Sequence, residues 1–304
     1  MRSMGCRFSV ATTAIMGVLF AAQPTWGWGP GGHMIVAYIA YGRLNDRARG
    51  EVDKLIAIKI APAAVTGQSL DFVNASHWPD DLRTPPYNKD FASSFPLHFV
   101  DYPFSTDGTT PSEDLTGENN IITALTHYVD VLKTSAVDNE RAQALRFVIH
   151  FVGDVQQPLH CATLVTHAHP AGDQGGNLFT IKVGNGRGST KNEKLHSYWD
   201  GGIGDFPKTG ANFTPPPLSE IPPAAARMSA EFPDSDPAWK DGGPTNFEGW
   251  AKESLQLAQD VAYKGIKPNQ LPSAAYNQAA LKTAHERVAW GGYRLAALLN
   301  SIWP

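Results

Sequence analysis

Residues 150–160, HFVGDVQQPLH, set two histidines and an aspartate among otherwise mostly apolar and amide residues. The apolar spacing of the surrounding RAQALRFVIHFVGDV predicts a helix with a core-facing side. Four residues of helix put His150 and Asp154 one turn apart on one face. Pro158 should end or kink that helix and let His160 turn back toward the same point. Coordinating groups placed in a core need either hydrogen-bond partners or a metal. The fold must therefore bring such partners to this helix.

Candidates lie elsewhere in the chain. The same i, i+4 pair recurs in LHSYWD as His196 and Asp200. Asp80 and His98 flank the loop WPDDLRTPPYNKDFASSFPLHFVDYP, and WGPGGH adds His33, five residues after Trp28. Imidazole and carboxylate are both good zinc ligands. Any one of these residues alone would more often be a hydrogen-bonded structural group. Eight of them, including two His-x-x-x-Asp turns, are poorly explained that way. His127 and His285 fit no ligand position and are expected in the core or at caps. His167 and His169 are expected in a solvated loop.

The chain has 304 residues, 42% of them hydrophobic, enough for a substantial core. Helical periodicity also marks HMIVAYIAYGRL, IITALTHYVDVL and LKTAHERVAWGGYRLAALLNSIW. LFTIKV followed by GNGRGST predicts one small β-hairpin. Pro- and Gly-rich loops are expected near 102–117, 162–176 and 202–223. Neither a repeat nor a composition break marks a linker, so one mainly α domain is expected. Ahead of it, Arg2 and Arg7 precede the weakly polar to apolar run FSVATTAIMGVLFAA, with Thr25 and Gly27 at the −3 and −1 positions of a cleavage site. Residues 1–27 thus read as a secretory signal and 28–304 as the mature domain, secreted or periplasmic, with no permanent membrane anchor. The mature part keeps 23 basic and 29 acidic residues, a net −6, which argues against a broad basic face for duplex DNA. Affinity for phosphate would need a local positive centre. Cys161 alone remains after cleavage, so no internal disulfide is expected and bound metal is a fitting staple.

Trp-Gly-x-x-Gly-His, Trp-Pro-Asp, Pro-Leu-His-Phe, His-x-x-x-Asp, Pro-Leu-His and His-x-x-x-Asp, in that order, resemble the trinuclear-zinc, single-strand-specific nucleases of the S-one/P-one type. The resemblance runs from Trp28 to about Asp200 and implies the helical fold shared with bacterial zinc-dependent phospholipase C. It implies three zinc ions. Asp80, His98, His150 and one oxygen of Asp154 would hold the first. The other oxygen of Asp154, His33, and the amino nitrogen and carbonyl oxygen of Trp28 would hold the second. His160, His196 and Asp200 would hold a third, more exposed one. Single-stranded DNA, RNA and nucleotides are the implied substrates, cut to 5′-phosphorylated products, with Asp80 orienting the attacking water. Phe99 would stack on a base and Asp101 would accept hydrogen bonds from its edge. Fungal members carry a Lys shortly after that Asp; none occurs here before Lys133, which leaves base preference open. No organic cofactor or stable protein partner is implied, and a monomer is expected. The missing disulfides suit a bacterial source.

Other readings stay in view. A phospholipase C-like phosphodiesterase would use the same cluster, but that branch typically ends its ligand set with Glu where this chain has Asp200. A non-catalytic zinc-binding protein would have closed, four-ligand sites, whereas the third group offers three. A purely structural helical domain leaves the ligand set unexplained.

Overall fold

The fold is described from a computed structural model, covering residues 27–60, 71–83, 89, 92–111, 113–184, 186, 188–208, 210 and 214–304. The expected signal sequence lies outside the described residues apart from Gly27. In chain order the elements are α1 (Pro30–Tyr41), α2 (Asp46–Ile56), α3 (Phe72–Ala75), α4 (Trp78–Asp81), β1 (Pro103–Ser105), α5 (Ile121–Thr134), α6 (Asp138–Asp154), β2 (Thr163–Val165), β3 (Thr180–Gly184), β4 (Thr190–Lys194), α7 (Leu195–Asp200), α8 (Ile221–Glu231), α9 (Phe247–Leu257) and α10 (Ala274–Ile302). The mainly α expectation holds.

Helix α6 runs through the middle of the molecule. Asp138 and Glu140 sit in its first turn, where carboxylates complement the helix dipole. From Ala144 to Asp154 every residue is buried, because ALRFVIHFVGD is apolar almost all round. Helices α5, α2, α10 and α1 all pack against it. The crossing of α1 with α10 is tight at Gly292, where a side chain would run into Ile39. Buried under α10, Arg287 and Arg294 both pair with Glu253 of α9, at 2.9 and 2.7 Å. A second hydrophobic cluster, with Leu159, Ile181, Trp199, Tyr263 and Tyr276, ties the hairpin and α7 to α9 and α10.

Periodicity locates the long helices well. Helix α10 starts at Ala274, upstream of the expected Leu281, because Ser273 accepts the Tyr276 N–H as an N-cap. The hairpin is β3–β4, antiparallel with Thr180 opposite Lys194. The loops expected near 102–117 and 162–176 are less irregular than anticipated. They contain β1 and β2, a parallel pair with Phe104 beside Leu164. Three residues per strand are too few for an alternation to register in sequence. Among the described residues no helix is long and apolar enough to cross a membrane.

Candidate metal centre

The eight predicted His and Asp ligands arrive on six supports. Helix α6 places His150 Nε2 2.9 Å from Asp154 Oδ2 and then ends. Gln157, the residue before Pro158, is extended at φ −78°, ψ 118°, as a pre-proline residue prefers. A 3-10 turn over Pro158–His160 follows and brings His160 Nδ1 to 3.9 Å from Asp154 Oδ1. The chain therefore turns back as expected, although the helix stops before the proline rather than at it. Short α4 presents Asp80, and a 3-10 turn over Ala92–His98 ends on His98. His33 comes from α1, and His196 and Asp200 from α7.

These residues converge. Three groups have donor atoms within 4.8 Å of one another: His33, Asp80 and His150; His98, His150 and Asp154; and His160, His196 and Asp200. His33, Asp80, His98, His150 and Asp154 are fully buried, while Asp200 retains 7% exposure. The two oxygens of Asp154 diverge. Oδ1 faces His33 Nε2 at 3.2 Å, and Oδ2 faces His98 Nδ1 at 3.0 Å. His160 and His196 bring their Nε2 atoms to 3.2 Å from each other.

The residues fit a set of cations. His150, His160 and His196 each direct Nδ1 at a backbone carbonyl, of Ser76, His98 and Gly175, all at 2.7 Å. A carbonyl only accepts, so Nδ1 carries a proton and Nε2 points inward, offering a lone pair whenever the ring is neutral. Both ring nitrogens of His33, His98 Nε2, Asp80 Oδ2 and Asp154 Oδ1 are buried with no hydrogen-bond partner in the protein. Burying so many unpaired polar atoms would cost about 1–3 kcal/mol each. Cations shared among them would remove that cost.

Burial dominates the electrostatics. It lowers His33 to about 3, with His150 adding repulsion, and holds His98 well below the usual histidine range. Both rings are thus neutral and ready to ligate. Burial also opposes charge on His150, but Asp154 and Asp80 overcome it and raise that ring to about 9. Asp154 is held low despite its burial, chiefly by His150 and His160. Burial pushes Asp80 up and Asp200 well up. Cys161 is buried and raised, an inert thiol.

The remaining predicted residues surround this centre. Trp28 is fully buried, its ring edge-on to Phe206 at 5.4 Å. Gly29 N–H donates to Asp200 O at 2.9 Å, pinning the segment to the end of α7. Gly27 lies against Asp154 and His33, and a side chain there would collide with the Asp154 carboxylate. A cleft of about 560 Å³ opens beside Asp200, lined by Gly29, Ser197, Phe206 and Lys208 among others. Phe99 is half-buried and belongs to neither hydrophobic cluster. Burial, reinforced by Asp173, raises half-buried Asp101 to about 7.

His127 is neither core nor cap; it is exposed on α5, because the residues facing inward there are Ala124, Leu125 and Val129. His285 is buried as expected, held between Glu231 at 2.8 Å and Asp205 at 2.9 Å. Sequence reasoning missed Arg83, whose buried guanidinium donates to Asp80 Oδ1 at 3.2 Å. An Arg three residues after an Asp in a helix is an ordinary pattern, so only the fold reveals that this one is interior.

Comparison with known proteins bears on this geometry. The family model described as S1/P1 Nuclease matches residues 28–304. Endonuclease 2 of Arabidopsis thaliana is 30% identical over 299 residues, covering 94% of each chain. Nuclease S1 of Aspergillus oryzae is 27% identical over 308 residues, 97% of this chain and 96% of that one. Nuclease P1 of Penicillium citrinum is 27% identical over 293 residues, 90% and 97% of the two chains. The match extends past Asp200 to the last residue, further than the sequence motifs alone reach. With its helical fold, its three converging His/Asp groups and this end-to-end similarity, the chain belongs to the S1/P1 nuclease family.

Proposed function

We propose that the protein is a secreted, zinc-dependent endonuclease that hydrolyses single-stranded DNA and RNA to 5′-phosphorylated products, and that the same centre serves 3′-nucleotidase action. The observation that carries this is the convergence of three buried His/Asp groups, with His33, His98 Nε2, Asp80 Oδ2 and Asp154 Oδ1 lacking hydrogen-bond partners within the protein. In this reading Asp80, His98, His150 and Asp154 would hold one zinc. Asp154, His33 and the backbone of Trp28 would hold a second. His160, His196 and Asp200 would hold the third. The divergent oxygens of Asp154 support a bridge, and the position of Gly27 supports cleavage there, which would free the Trp28 amine beside Asp154 and His33.

Bound zinc would supply the positive charge that acidifies the attacking water and stabilises the departing oxygen. The protein's own part is positional. Arg83 holds Asp80 Oδ1, leaving the unpartnered Oδ2 to orient the water and take up its proton. Phe99 would offer a face on which a base stacks, which requires a base already out of a duplex. Asp101, raised to about 7, would carry a proton below that pH and so donate to a base edge as well as accept from it.

Zinc-loaded protein should be incubated with a single-stranded DNA, its duplex and phosphatidylcholine vesicles. The expected result is cleavage of the single strand with 5′-phosphate ends and little change in the other two. Cleavage of lipid alone would identify a phospholipase, and no cleavage at all would identify a binding protein.

A further inference from the structure

The motif between Asp154 and His160 contains two glutamines, Gln156 and Gln157, both fully buried. They are engaged by different partners. Gln156 is anchored to the Arg network, its side-chain oxygen accepting from Arg294 at 2.8 Å and its backbone oxygen from Arg287 at 3.4 Å. Gln157 has its side chain in the centre. Its Oε1 accepts the Leu159 N–H at 2.6 Å, and its Nε2 donates to Asp200 Oδ1 at 2.8 Å. A backbone N–H only donates, so the oxygen of this amide must face Leu159 and the nitrogen must face Asp200. The orientation is fixed.

One amide therefore does two things. Leu159 lies inside the 3-10 turn over Pro158–His160, and the accepted bond caps that turn, which carries His160. The donated bond reaches Asp200 at the far end of α7. His196, the other member of the group, is held separately by Gly175. With His160 and His196 Nε2 3.2 Å apart and Asp200 Oδ1 3.7 Å from His196, a small swing of Asp200 would open the triangle.

We propose that Gln157 is a positioning residue for the His160–His196–Asp200 site, setting His160 and Asp200 together through a single side chain. This rests on the reading of that group as a zinc site. Partners that orient metal ligands are typically worth 10–100-fold in metal affinity. Gln157→Glu is the discriminating variant. It keeps an oxygen to cap Leu159 but sets an acceptor where Asp200 needs a donor. Gln157→Ala removes both bonds.

The test is zinc titration of the processed chain against a competing chromophoric chelator, with folding checked by circular dichroism. Wild type should bind three zincs. Gln157→Glu should bind two with unchanged affinity and the third 10–100-fold more weakly. Third-site affinity within twofold of wild type in Gln157→Glu would overturn the proposal. So would equal weakening of all three sites, which would mark a general structural role. If wild type itself binds fewer than three zincs, the metal reading fails first and the proposal falls with it.

Discussion

Asp154 is the residue on which the centre turns, since one oxygen faces His33 and the other faces His98 and His150. On the proposed bridge, Asp154→Asn would remove charge from two metal sites at once. It should lower bound zinc by at least one per chain and activity on the order of 100-fold, the scale of losing one transition-state-stabilising group. His127→Ala, on the exposed side of α5, should leave both unchanged; metal analysis of the two purified variants checks this. At Phe99 the expected loss is selective. Phe99→Ala should forfeit about 1–3 kcal/mol against single-stranded DNA, the usual worth of one base–aromatic stack. Hydrolysis of a small phosphodiester with no base should hardly change. Equal losses on both substrates would mean that Phe99 supports the metal centre and does not contact a base. The eight converging His and Asp residues were legible from their chemistry and the family resemblance, with helical spacing pairing His150 with Asp154 and His196 with Asp200. Arg83 and Gln157 were not, since nothing in an Arg or Gln distinguishes a surface position from one facing a buried carboxylate. The influence of Asp173 on Asp101 was equally hidden, because the two lie on separate loops that only β1–β2 pairing draws together.

Among the elements, those with long periodic faces were readable and the short ones were not. Helices α1, α5, α6 and α10 announce themselves by apolar spacing, and β3–β4 by its glycine-rich turn. The 3-10 turns that deliver His98 and His160, and the parallel pair β1–β2, depend on contacts between distant segments. The interior of α10 carries a further constraint that the sequence shows only as charge. Arg287 and Arg294 are each 1% exposed and share Glu253. Glu253→Gln would leave two buried guanidinium groups without their carboxylate. Stability should fall by roughly 3 kcal/mol, the low end for a buried pair losing one partner because Glu253 keeps some solvent contact. Urea denaturation at neutral pH measures it. Loss of less than half a kcal/mol would show that the network adds no net stability.

For the whole molecule, metal and protons compete. Without metal, His150 keeps a proton up to about pH 9, above its ordinary 6.5 in an unfolded chain. Its contribution to stability is therefore fully present below about 6.5 and lost as pH rises through about 9. Asp200, raised well above the carboxylate range by burial, also retains its proton in conditions where an unfolded aspartate would have lost it. Ligation requires both groups deprotonated, so zinc binding should release protons near pH 7 and tighten as pH rises toward 9. Titration calorimetry in two buffers of different ionisation enthalpy detects those protons. A buffer-independent heat would contradict the assignment of His150 as a ligand.

On the reading proposed above, an acidic chain gains its phosphate-attacking centre from three metal ions held by residues 28–200. Elemental analysis of the purified, processed protein, paired with its mass, tests it most directly. Three zincs per chain on a polypeptide beginning at Trp28 are expected. Fully active protein carrying no more than one zinc, or beginning elsewhere, would contradict it.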